Sequence, residues 1–161
     1  MEDWRNKSRA FTRAVDLETP PLLRAANTDA GSRLNISVIF TSVVSTLAAL
    51  RQAGELAACL SARITILAPQ VVPYPLPLEK PPVLLSWNER RFRLIADESP
   101  VQTTVRLYLC RDEIETLKRV LNPKSLVVIG ARGGWWPFTR EKRMARTLRR
   151  AGHEVIFTES E

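Results

Sequence analysis

ISVIFTSVVSTLAALRQAGELAACLSARITILAP, from Ile36 to Pro69, sets the architecture of this chain. It opens with a short β-branched apolar run, ISVIFT (Ile36 to Thr41), the pattern of a parallel strand buried on both faces. STLAALRQAGELAACL (Ser45 to Leu60) follows, with Leu47, Leu50, Ala57 and Leu60 at helical spacing and Ser45 placed to cap it. ARITILAP (Ala62 to Pro69) is a second strand. Leu34 to Leu50 carries no charge, so it also has to be weighed as a membrane span. It holds Asn35, Ser37, Thr41, Ser42, Ser45 and Thr46 and falls short of the roughly 20 apolar residues that a spanning helix needs. A buried strand followed by a helix accounts for it, and no membrane span is expected.

The alternation continues downstream. QVVPYPLPLEKPPV (Gln70 to Val83) has five prolines and reads as an extended surface connection. SWNERRFRLIADES (Ser86 to Ser99) has the S-x-x-E pattern of a capping box at Ser86 and Glu89, although FRLIA also tolerates β structure. VQTTVRLYL (Val101 to Leu109) is a strand. RDEIETLKRVL (Arg111 to Leu121) is an amphipathic helix capped by Asp112, with Ile114, Leu117 and Leu121 as its buried stripe. SLVVIG (Ser125 to Gly130) is a third buried run. Thr139 caps a last helix, REKRMARTLRRA, which Gly152 closes before the final strand EVIFT (Glu154 to Thr158). The expected fold is α/β: five mostly parallel strands with helices on both faces. Ligands of such sheets sit beyond the carboxyl ends of the strands, here just after Thr41 and Gly130. Residues 1–33 read as an extension or linker, with turn chemistry at Thr19 to Pro21 and Asn27 to Ser32 and a short helix around Arg5 to Asp16. The domain proper runs from 34 to 161.

The 161 residues suit one domain, and 45% hydrophobic residues suffice for a core. The net charge is +7. Arg140, Lys142, Arg143, Arg146, Arg149 and Arg150, against Glu141 alone, give the last helix +5 of it. That stripe is either a solvated face or a surface for nucleic acid, an anionic membrane or an acidic protein. Cys59 and Cys110 match no metal or redox spacing and are expected as buried free thiols. The sole histidine, His153, reads as a turn residue. No Ser-His-Asp, metal-ligand or paired-carboxylate arrangement can be drawn, so no enzyme is expected. The N-terminus MEDWRNKSRAFTRAVDLE has charges throughout and no apolar signal core, which suggests a cytoplasmic protein.

The ordered combination of LAALRQAGELAACLSARITILAPQVVPYP and CRDEIETLKRVLNPKSLVVIGARGG resembles the universal stress protein family over roughly Asn35 to Thr158. Lys80 to Ser99 and everything before Asn35 lie outside the pattern. ATP-binding members carry G-x-x-G, nine residues, then Gly-Ser or Gly-Thr. Gly130-Ala131-Arg132-Gly133 supplies the first half, but Arg143 and Met144 stand at the second. The family's acidic residue after the first strand falls near Thr41 and Ser42. Two of three usual nucleotide contacts are therefore missing. Close backbone approach and free amides are what hold phosphate, and Arg143 or Arg132 can offer only side-chain pairing.

The resemblance implies a small stress-response or regulatory module. Its nucleotide site is degenerate, with Gly130, Arg132, Gly133, Thr41, Ser42 and Arg143 as the residues around it, and it acts through protein contacts. ATP or AMP bound by altered phosphate contacts is the alternative, and a basic module for nucleic acid or another anionic partner is a third. The family implies a homodimer through the last strand, here Val155, Ile156 and Phe157. Trp135 and Trp136 would plug the pocket, stack on a base or anchor a partner, with Pro137 stiffening their loop.

Overall fold

Alternate residues of four strands face opposite sides of one sheet, which requires two cores. Ile36, Val38, Ile64, Ile66, Val105, Leu107 and Val128 share one core, whereas Ile39, Leu67, Tyr108, Val127 and Ile129 share the other. The computed structural model describes residues 12–17, 34–134 and 139–160. Its elements are β1 (Thr12–Leu17), β2 (Asn35–Ile39), α1 (Val43–Leu60), β3 (Arg63–Val71), α2 (Leu85–Asp97), β4 (Thr103–Cys110), α3 (Glu113–Val120), β5 (Leu126–Arg132), α4 (Arg140–Arg150) and β6 (Glu154–Ser160). The sheet order is β1-β4-β3-β2-β5-β6. The five strands β2 to β6 run parallel to their neighbours, and β1 lies antiparallel on β4.

Helices α1 and α2 cover one face. Ala49, Leu50, Ala53 and Ala57 of α1 join Phe92 and Ile95 of α2 in the first core. Helices α3 and α4 cover the other, through Leu117, Met144, Ala145 and Leu148. Each fully buried Leu, Ile or Met contributes about 1.5–3 kcal/mol by leaving water. By length and composition α1 is apolar enough to cross a membrane, and it is the one such helix among the described residues. Its small residues lie against the sheet as the inner face of a core helix.

Several local expectations needed correction. Thr12–Leu17, which overlaps the end of the suggested Arg5 to Asp16 helix, is strand, paired from Thr12↔Cys110 to Leu17↔Val105. The rest of that helix lies outside the described residues. Helix α1 begins a turn earlier than Ser45. Ser42 is the cap and its hydroxyl accepts from the Ser45 amide at 3.2 Å, while Ser45 itself is buried. The capping box at Ser86 does not form: α2 starts after Leu84 with no side-chain cap, and Ser86 is already inside it. Asp112 and Thr139 do cap α3 and α4, accepting from the amides of Glu115 and Lys142.

Two features explain how prolines fit here. The Leu67 carbonyl accepts the Phe40 amide, so it faces β2. By the two-residue period Pro69, without an N–H, faces the same side, past the end of β2, where no bond is lost. The proline-rich connection after β3 is held by Arg111, whose guanidinium donates to the carbonyls of Val72 (2.5 Å) and Leu76 (2.6 Å) and lies 4.0 Å from the Tyr74 ring centre. Cys110 is buried, as expected, but Cys59 is exposed near the end of α1. Burial pushes the Cys110 thiol above its ordinary pKa, which keeps it protonated and unreactive.

With Ser42 as the cap of α1, Ser42→Ala should lower stability by about 1 kcal/mol in urea denaturation, while Ser42→Asp should be close to neutral. Equal losses for both variants would mean that the hydroxyl matters for something other than capping.

Candidate functional site

Crossovers from the two central strands diverge. β2 leads through α1 to β3 on one side, and β5 leads through α4 to β6 on the other. The carboxyl ends of β2 and β5 therefore form the switch point of the sheet, where a crevice is expected. Thr41 and Gly130 meet there. The Thr41 hydroxyl donates to the Gly130 carbonyl at 2.7 Å, and the Thr41 amide donates to the Thr46 hydroxyl at 3.2 Å. A Cβ on Gly130 would stand 1.9 Å from the Ser45 carbonyl oxygen. The glycine is there because the first turn of α1 lies directly against β5, and its φ is not positive.

The rest of the glycine loop is similarly engaged. Gly133 donates its amide to the Ser160 carbonyl at 2.9 Å, extending the β5–β6 ladder, and a Cβ there would meet the same oxygen at 3.0 Å. Ser160 donates its hydroxyl back to the Ala131 carbonyl. Arg132 is exposed at the end of β5. Ser42 is occupied in capping α1. Trp135, Trp136 and Pro137 lie outside the described residues. Arg143 and Met144, at the place of the expected Gly-Ser, are both inside α4: Arg143 is exposed and Met144 is fully buried in the second core. The hydroxyl at the start of this helix belongs to Thr139, four residues earlier. The sequence already marks Thr139 as the cap of this helix.

Beside Thr41 a cleft of about 280 Å³ opens past the ends of β2 and β3. Phe40, Gln70, Trp87, Asn88, Phe92 and Arg140 are among its walls. Phe40 and Phe92 meet edge to face, with ring centres 4.9 Å apart. The Arg91 guanidinium lies 5.2 Å from the centre of the Phe40 ring and 5.5 Å from that of Trp87, a cation–π arrangement that fixes both. Asn88 donates to the Gln70 side chain at 2.6 Å. Arg140 places Nε and Nη2 on Glu113 Oε2, at 2.8 and 2.5 Å. The cleft thus offers aromatic faces and amides, and Arg140, the one cation among the described residues that line it, is paired with Glu113. Sequence reasoning missed the contribution of α2, because nothing in SWNERRF marks which of its faces turns toward β3.

His153 is buried at the α4–β6 junction and its Nδ1 has no hydrogen-bond partner. Among the described residues no group of three or more His, Cys, Asp or Glu side chains is placed to hold a metal.

No protein-family model matches the chain, and no curated protein does. Solved structures do. A protein from the universal stress protein family of Burkholderia pseudomallei superposes with a TM-score of 0.55 at 23% identity, over 78% of this chain and 96% of its own. A universal stress protein from Archaeoglobus fulgidus gives 0.52 at 16% identity, over 86% and 98%. The chain has the universal stress protein fold. The antiparallel β1 is the addition to the five-stranded sheet expected from the sequence.

Because the methyl group of an alanine at Gly130 would collide with backbone, Gly130→Ala should cost about 3 kcal/mol in denaturant titration. Gly134→Ala, where nothing lies within 4 Å of the new atom, should stay within about 0.5 kcal/mol. Similar effects at both positions would refute the close packing of α1 on β5.

Proposed function

We propose that this chain is a small cytoplasmic stress-response or regulatory module of the universal stress protein type, that its nucleotide site lacks a working phosphate cradle, and that it acts through protein contacts rather than catalysis. The observation that carries this reading is the engagement of the loop's own donors: the Gly133 amide and the Thr41 hydroxyl both point at main-chain carbonyls. A phosphate cradle needs several free amides converging on one point. Arg140, the cation nearest the cleft, is held by Glu113.

One observation favours a second reading. The cleft beside Thr41 has aromatic walls and, at about 280 Å³, lies near the lower end of the 300–1,000 Å³ usual for small-molecule sites. It suits a planar base or nucleoside better than a triphosphate. In this alternative ATP or AMP binds weakly, with Arg132, Arg140 or Arg143 reaching for phosphate in place of the loop.

A thermal-shift titration with adenosine, AMP and ATP, with and without magnesium, separates the two. A ligand at a hundred times its dissociation constant adds about 2.7 kcal/mol, which raises Tm by roughly 5–10 °C for a chain of this size. No shift at millimolar nucleotide is the expected result. Equal shifts with adenosine and ATP would mean a base cleft without phosphate contacts. A shift that grows with phosphate number would overturn the leading reading.

The nearest protein partner in this reading is a second copy along β6, the strand beyond β5 at the edge of the described sheet, whose outward Val155 carbonyl is held by Arg149. Sedimentation at micromolar concentration should then show a dimer, and monomer alone would remove the second copy from the proposal.

A further inference from the structure

Folding splits the basic stripe of the last helix. Arg140 turns to Glu113, beside the cleft. Lys142, Arg146, Arg149 and Arg150 instead line a separate groove of about 560 Å³ between α4 and β6, on whose wall the half-buried Phe157 also lies. These four cations stand at i, i+4, i+7 and i+8, on one face of the helix, and span about 12 Å along its axis. Arg149 is braced by a 2.8 Å bond from Nη2 to the Val155 carbonyl. At one end Glu159 lies 3.8 Å from Lys142. Glu154, at the other end of β6, is exposed.

The geometry points to a binding site for single-stranded nucleic acid in this groove, with the backbone phosphates on Arg146, Arg149, Arg150 and Lys142 and a base against Phe157. Three of the four cations are arginines, whose planar forks match phosphate oxygens two at a time. A positive groove with an aromatic face is the combination that holds single strands without reading sequence, since every base has a π-face. The site is concave and its apolar part is one ring and Ala145, so it lacks the broad apolar face with which a helix enters a membrane.

Fluorescence anisotropy with a short labelled single-stranded oligonucleotide tests this. Binding should weaken linearly in log–log form as salt rises, with a slope of about −2 to −3, as three or four phosphate contacts on a single strand require. The double substitution Arg146→Glu with Arg150→Glu should abolish binding. Arg143→Glu, on the same helix but outside the groove walls, should leave most of it. Phe157→Leu should weaken binding about 5- to 100-fold and leave the salt slope unchanged. Circular dichroism and Tm confirm that each variant is folded, and Arg146→Ala, at an exposed position, replaces the double variant if charge reversal unfolds it. Absence of binding at low salt overturns the proposal. So does an equal loss from Arg143→Glu, which would mean diffuse attraction. Displacement by polyglutamate at equal charge would transfer the site to acidic proteins. Binding to vesicles containing phosphatidylserine but not to the oligonucleotide would transfer it to a lipid surface.

Discussion

Everything at the centre of the sheet depends on how closely α1 can lie against β5. Helix α1 leaves β2 and crosses over to β3, yet its first turn rests on the neighbouring strand β5, with the Ser45 carbonyl where a side chain at Gly130 would have to be. The bond from Thr41 to the Gly130 carbonyl fastens the same two segments from the other direction. Glycine in such a loop can serve a ligand or serve packing. Both kinds of glycine keep backbone accessible, and only the identity of what approaches distinguishes them. Here a helix approaches.

That contact also sets what remains of the crevice. Where β2 and β5 part, the Gly133 amide is taken up in main-chain pairing with Ser160. The open volume lies toward β3 and α2, where Trp87, Phe92 and Asn88 form part of its wall.

The parallel sheet was legible because its signals are local. ISVIFT, ARITILAP and SLVVIG are apolar runs too short for helices, and the segments between them carry helical periodicity. Asp112 and Thr139 were legible as caps for the same reason. Ser42 was not, because Val43 and Val44 look like strand residues and four serines and threonines, Thr41, Ser42, Ser45 and Thr46, compete within six residues. Packing of Ala49 and Ala53 on the sheet decided it. The strand at Thr12 to Leu17 was illegible because its partner lies in another part of the chain. The pairing of Arg140 with Glu113, and the separation of Arg140 from the groove cations, are likewise contacts between distant residues. A helical count of charges sees one stripe where the fold makes two environments. The glycine pattern GARGG had the opposite difficulty: it was conspicuous, but its residues alone could not say whether phosphate or polypeptide was the neighbour.

The antiparallel strand β1 has a consequence for the order in which the chain assembles. Its partners on β4 are 88 to 98 residues further on, from Leu17↔Val105 to Thr12↔Cys110. During synthesis β1 leaves the ribosome with nothing to pair with until β4 has been made, whereas β2, α1 and β3 can associate almost as soon as they emerge. Closing a loop of that length is entropically costly and is repaid only when β4 is already in place. β1 therefore docks only once β4 is in place, and until then the outer edge of β4 stands open on the nascent protein.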